Sequence, residues 1–133
     1  MCYNFVMNKH VLIVEDEPDL REAMAEALTE AGFNISAAPD GAVGLEIAIT
    51  EKPDLILMDL MMPVMDGHEM LRRLRQDPWG QHAHVVVLSA MDDVNNIGRA
   101  HEAKLVDYII KAHTSLDELV KKVQGFILAR ENN

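Results

Sequence analysis

A chain of 133 residues suits one domain with a core large enough to fold without disulfide or metal staples. Twelve lysines and arginines against 22 aspartates and glutamates leave a formal charge of −10. That balance disfavours direct binding of nucleic acid or an anionic membrane by this segment, and points to a cation or a basic partner surface. The single cysteine, Cys2, excludes an intrachain disulfide framework and fits a reducing, cytoplasmic setting, and no apolar run is long enough to span a bilayer.

The opening "MCYNFVMNKH" lacks the basic end and apolar core of a secretory signal. Residues 1–9 read as a peripheral extension; Tyr3, Phe5 and Met7 alternate, which leaves a short extra strand as the alternative. "HVLIV" (10–14) reads as the first strand. Asp19, with Glu22 three residues on, has capping-box spacing and opens a helix with the stripe Leu20, Met24, Ala27, Leu28 and Ala31, ended by Gly32. "FNISAA" (33–38) and "LILM" (55–58) are the second and third strands. Pro63 and the turn "MDG" (65–67) shape a loop and leave the next helix to start after Gly67, with Arg72, Arg73 and Arg75 on its solvated side. His82 and His84 read as a surface loop, since no third metal ligand accompanies them. "HVVVLS" (84–89) is the fourth strand. Residues 94–103 form the weakest helical segment, with only Val94, Ile97 and Ala100 apolar and Gly98 inside it. "DYII" (107–110) is the fifth strand. A last helix starts near Thr114 or Ser115, with Asp117 or Glu118 three residues on, and buries Leu116, Leu119, Val120, Val123 and Ile127.

Strict alternation of strands and helices implies a parallel sheet covered on both faces. "VVVL" and "LIL" are apolar at every residue, as doubly covered strands require. The expected architecture is a three-layer, doubly wound α/β domain with a five-stranded parallel sheet and five helices. Its expected limits are 10–130, with residues 131–133 a short tail.

In such sheets, sites form beyond the carboxyl ends of the strands. Glu15, Asp16, Glu17 and Asp19 follow the first strand, Asp59 the third, Ser89 and Ala90 the fourth, and Lys111 the fifth. If strands one, three, four and five are neighbours, these groups converge. Carboxylates about 4 Å apart repel by roughly 4 kcal/mol at an effective dielectric of about 20. A cluster of Glu15, Asp16 and Asp59 therefore raises a pKa or takes up a cation, and Mg²⁺ fits an oxygen-ligand set that includes a backbone carbonyl just after Asp59. Taken singly, each residue also has a bland role: Glu15–Asp19 as a solvated helix-capping turn, Lys111 as the partner of an acid, Ser89 as a strand-end cap.

Together, "VLIVEDEPDL", "DLILMDLMMPVMDG", "VVVLSA" and "DYIIK", in this order across residues 10–129, resemble the receiver domain of bacterial two-component response regulators. The resemblance implies the flavodoxin-like strand order 2-1-3-4-5, for which the chemotaxis member of that family is itself a standard example. It implies that Asp59 is the phosphoacceptor, with Glu15 and Asp16 the metal acids, and that Asp16, Asp59 and the Met61 carbonyl are the direct Mg²⁺ ligands. Lys111 is similar to the phosphate-binding lysine, Ser89 (with Ala90 beside it) to the switch hydroxyl, and Tyr108 to the switch aromatic. The implied donor is a sensor histidine kinase or a histidine phosphotransfer protein. The implied contact face for an unknown downstream protein target is Asn95, Arg99, Lys104, Tyr108 and Lys122, on a monomer or a phosphorylation-dependent dimer. Neither nucleic acid nor membrane is an expected direct partner.

Three departures from the family pattern stand out: Ala112 in place of the usual proline after the lysine, Lys104 in place of a common glycine, and Glu15 in place of the commoner aspartate. A non-proline cis bond costs about 3 kcal/mol, so a trans bond or an altered 111–115 loop is expected. Met61 and Met91, two residues after Asp59 and Ser89, are expected to cover the site and slow loss of the phosphoryl group, unless both merely face solvent. Rival readings fare worse. A phosphatase-like hydrolase generally has a second acid two residues after its nucleophile, where this chain has Met61; a flavin site would be repelled by "EDEPD". The alternative kept open is a phosphorylation-independent, receiver-like interaction module. Both a stand-alone regulator of the chemotaxis type and a piece of a larger regulator fit the sequence.

Overall fold

In the computed structural model, the described residues are 8–89, 106–111 and 114–131, with the backbone alone at Ser89, Val106 and Glu131. Five strands, β1 (His10–Val14), β2 (Asn34–Ala38), β3 (Leu55–Asp59), β4 (Val85–Ser89) and β5 (Val106–Ile110), form one sheet of order β2-β1-β3-β4-β5. All four strand pairs are parallel. Four α-helices lie among the described residues: α1 (Pro18–Glu30), α2 (Gly41–Glu51), α3 (Gly67–Leu74) and α4 (Leu116–Glu131). The fifth expected helix, 94–103, falls outside them, as do Ala112 and any strand within residues 1–7.

The two-residue period of a strand sorts the apolar runs onto opposite faces. Leu12, Val14, Ile56, Met58, Val85 and Val87 pack with Ala48 of α2 and Met70, Leu71 and Leu74 of α3. Val11, Ile13, Leu55, Leu57, Val86 and Leu88 pack with Met24 and Leu28 of α1 and Leu119, Val123 and Ile127 of α4. Each fully buried Leu, Ile or Val contributes about 1.5–3 kcal/mol, so both faces of the central strands stabilise the fold. The edge strand β2 is half-exposed, which is why "NISAA" is the least apolar of the strand segments.

Helix ends follow local chemistry, with several corrections to the sequence reading. Glu17, not Asp19, is the N-cap of α1, and its side chain makes no cap bond; Pro18 occupies the first helical position, where its fixed φ and missing N–H cost nothing. Asp19 sits inside the first turn. Asp66 caps α3 by accepting from the Glu69 amide at 2.9 Å, so that helix begins at Gly67 itself. The Ser115 hydroxyl accepts from the Glu118 amide (3.2 Å), capping the start of α4, and donates to the Glu118 carboxylate (3.2 Å). Leu116 is 40% exposed and not part of the buried face. Arg75 is half-buried and donates to the carbonyls of Gly80 (2.7 Å) and Ala83 (2.9 Å), unlike the exposed Arg72 and Arg73, which hold Glu69. His84 is not a loop residue in water: it precedes β4, its side chain is 11% exposed, and its ring meets Asp107 at 3.2 Å and the edge of Phe126.

Candidate functional site

The strand order places the ends of β1 and β3 side by side, with β4 and β5 following on one flank. Chain turns immediately beyond β1 and β3 therefore present their acids to a common hollow. One carboxylate oxygen each from Glu15, Asp16 and Asp59 lies within 4.8 Å of the others. Glu15 is fully buried and Asp59 is 6% exposed, an unusual placement for charged groups unless they are paired.

Lys111 supplies the pairing. Just past the end of β5, its Nζ lies 2.7 Å from Glu15 Oε1 and 2.9 Å from Asp59 Oδ2. Burial alone would lower the lysine pKa, and it is the largest single influence. The two carboxylates together outweigh it, and the pKa is raised, so the ammonium form persists. Asp16 is pushed the other way from an ordinary carboxylate: burial first, then the hydrogen bond and charge of Glu15, raise its pKa. A proton or a cation near Asp16 relieves that repulsion.

The remaining bonds fix the pocket walls. The Met61 amide donates to Asp59 Oδ1 at 3.2 Å, which sets the backbone of Met61 beside the acceptor. The Glu17 amide donates to Glu15 Oε2 (3.2 Å), and Arg21 Nη1 donates to the Glu15 carbonyl (2.8 Å). Both oxygens of Glu15 are thus engaged, one by Lys111 and one by backbone. Thr114 closes the loop behind Lys111: its hydroxyl donates to the Ile110 carbonyl (2.9 Å) and its amide to the Lys111 carbonyl (3.3 Å). Arg21 and Thr114 were missed from sequence; a hydroxyl three residues after Lys111 was the only available signal for the second.

The other expected residues divide into placed and unplaced. Ser89 ends β4 opposite Ile110, one residue before Lys111. Tyr108 is 48% exposed, and Lys122 faces solvent on α4. Met61 points largely outward at 62% exposure. Ala90, Met91, Asn95, Arg99 and Lys104 lie outside the described residues. Among the described residues, no helix is long and apolar enough to cross a membrane.

The fold and site define a class: a doubly wound α/β domain with an acid cluster, a strand-end aspartate and a bridging lysine at one end of the sheet, a set that could hold a cation. Comparison with known proteins narrows the class. The family described as "Response regulator receiver domain" matches residues 11–124, and the chain belongs to it. It is 39% identical over 117 residues to the transcriptional activator protein IrlR of Burkholderia pseudomallei, covering 88% of this chain and 49% of that protein. It is 37% identical over 117 residues to a stretch of the sensor histidine kinase TmoS of Ectopseudomonas mendocina, covering 88% of this chain and 12% of that protein. Among solved structures, the receiver domain of Francisella response regulator 1452 has a TM-score of 0.80 at 29% identity, covering 93% of this chain and 99% of that one. The chain spans about half the length of IrlR. It is a receiver domain of the two-component response regulators, a family of phosphorylation-dependent signalling domains.

Proposed function

We propose that Asp59 accepts a phosphoryl group from the phosphohistidine of a sensor histidine kinase or a histidine phosphotransfer protein. An Asp59 oxygen attacks phosphorus, the P–N bond breaks, and the imidazole leaves with a proton. The observation that carries this reading is the Lys111 ammonium held against both Asp59 and Glu15 in a buried acid cluster. It places a fixed positive charge where a phosphoryl oxygen on Asp59 would lie.

The donor set fits Mg²⁺. Asp16, Asp59 and the Met61 carbonyl would hold it, and its chemistry is to neutralise charge on the transferring group. Glu15 belongs to the same acid set and, paired with Lys111 at 2.7 Å, also orients the lysine. The chain is then no turnover enzyme but a phosphoacceptor that catalyses its own modification; Met61, 62% exposed, does not cover the site as expected. Ser89 is the hydroxyl that closes on the phosphoryl group and Tyr108 the ring that follows it. The face carrying Asn95, Arg99, Lys104, Tyr108 and Lys122 then meets a downstream protein.

The test is intact-mass measurement after incubation with acetyl phosphate, with and without Mg²⁺. The wild type should gain one phosphoryl group only with Mg²⁺ and lose it slowly, and Asp59→Ala should gain none. Ser89→Ala should still be modified but lose the phosphorylation-dependent change at Tyr108. A wild type that stays unmodified would instead favour an interaction module. Trp79 lies with Pro53 and Asp54 at the opposite end of the sheet, so mass is a better readout than its fluorescence.

A further inference from the structure

The loop from Leu60 to Asp66, between β3 and α3, carries Met61 and is pinned at two points by glycines. At its far end, Gly67 donates its amide to the Leu60 carbonyl at 2.9 Å. A Cβ there would fall 2.5 Å from the Asp59 carbonyl oxygen. The second pin comes from another element. Gly41, the first residue of α2, donates its amide to the Met65 carbonyl at 3.0 Å, and a Cβ on Gly41 would lie 2.3 Å from that oxygen.

Helix chemistry gives no reason for glycine at position 41. Asp40 already caps α2 by accepting from the Val43 amide at 2.9 Å, and alanine in a helix is favoured over glycine by about 1 kcal/mol. Close approach to Met65 does give one. Gly44, one turn on along the same buried face, meets side chains rather than backbone. A Cβ at Gly44 would meet the Val14 side chain at 2.8 Å and Met70 at 3.2 Å.

We propose that Gly41 is a positioning residue for the phosphoacceptor pocket, a backstop on α2 that fixes the β3–α3 loop and with it the Met61 backbone beside Asp59. The inference rests on the phosphoacceptor reading above. Residues 60–66 form a short loop whose interior is already turned tightly, with the Met65 amide on the Pro63 carbonyl at 2.8 Å and Val64 at φ 68°. A carbonyl displaced at Met65 therefore has little slack in which to be absorbed before Met61 and Asp59 feel it.

The test is an amide NMR titration of the full chain with Mg²⁺ alone, on the wild type, Gly41→Ala and Gly44→Ala. Gly41→Ala should raise the half-saturating Mg²⁺ concentration on the order of tenfold, the usual scale for losing support around a metal site. Gly44→Ala should lower the melting temperature and leave the titration unchanged. A wild-type titration curve for Gly41→Ala, or an equal shift for Gly44→Ala, would overturn the proposal. Should Gly41→Ala not fold, the wild type decides. By linkage, a contact that favours cation binding is tightened by it, so hydrogen exchange at the Gly41 amide should slow on Mg²⁺ saturation; unchanged exchange overturns the backstop. A wild type that binds no Mg²⁺ refutes the phosphoacceptor reading and the backstop together, whereas a normal wild type with an unaffected Gly41→Ala refutes the backstop alone.

Discussion

Val64 is the residue whose local conformation fits its chemistry least. It is 84% exposed and held at φ 68°, a left-handed geometry that crowds a branched Cβ against the backbone and costs about 1–2 kcal/mol. Its side chain recovers little of that by burial. Asparagine tolerates this conformation, so Val64→Asn should raise the unfolding free energy by about 1 kcal/mol, read as a higher urea midpoint with the same slope. A lower midpoint would show that the loop depends on the valine side chain. Lys111 is the opposite case, a charge whose conformation and partners agree: it is half-buried, doubly paired and kept protonated by those pairs.

Among the elements, α4 shows how a sequence pattern becomes a boundary. Ser115 and Glu118 satisfy each other's polar groups, and Leu119, Val123 and Ile127 then fall on one buried stripe. Ser115→Ala should cost about 1 kcal/mol of stability in chemical denaturation, the usual value of an N-cap. An unchanged midpoint would mean that packing alone holds the helix start. α1 teaches the converse. The Asp19–Glu22 spacing was legible as a cap, yet Pro18 one residue earlier sets the helix start, because a proline at the first position fixes φ before any side chain acts. The segment 94–103 read as helix from a thin apolar pattern and lies outside the described residues.

For the fold as a whole, acid sensitivity among the described residues has an identifiable source away from the acid cluster. Burial lowers the His84 pKa most, with Arg130 and Arg75 adding to it, while the hydrogen bond and charge of Asp107 oppose it. The folded state therefore binds fewer protons at this ring than the unfolded chain. Its contribution is complete above the unfolded histidine pKa, about 6.5, and is lost as pH falls below that value. Urea midpoints measured from pH 8 to 5 should fall more steeply for the wild type than for His84→Gln, so that the gap between them narrows in acid. Parallel curves would remove His84 as the source.

How much of this was legible in the amino-acid order follows from range. The five strands, their apolar alternation and the acids, hydroxyl and lysine at their ends are local features, written in consecutive residues, and the sequence by itself determined them. Which groups meet was decided by tertiary structure. Lys111 reaches Asp59 across 52 positions, Gly41 of α2 donates to the Met65 carbonyl in the β3–α3 loop, and Arg75 and His84 turn inward although their own segments read as solvated. Local periodicity tells a residue which face it occupies. Only the closed sheet, by bringing strands and helices from distant stretches within a few ångströms, tells it what stands opposite.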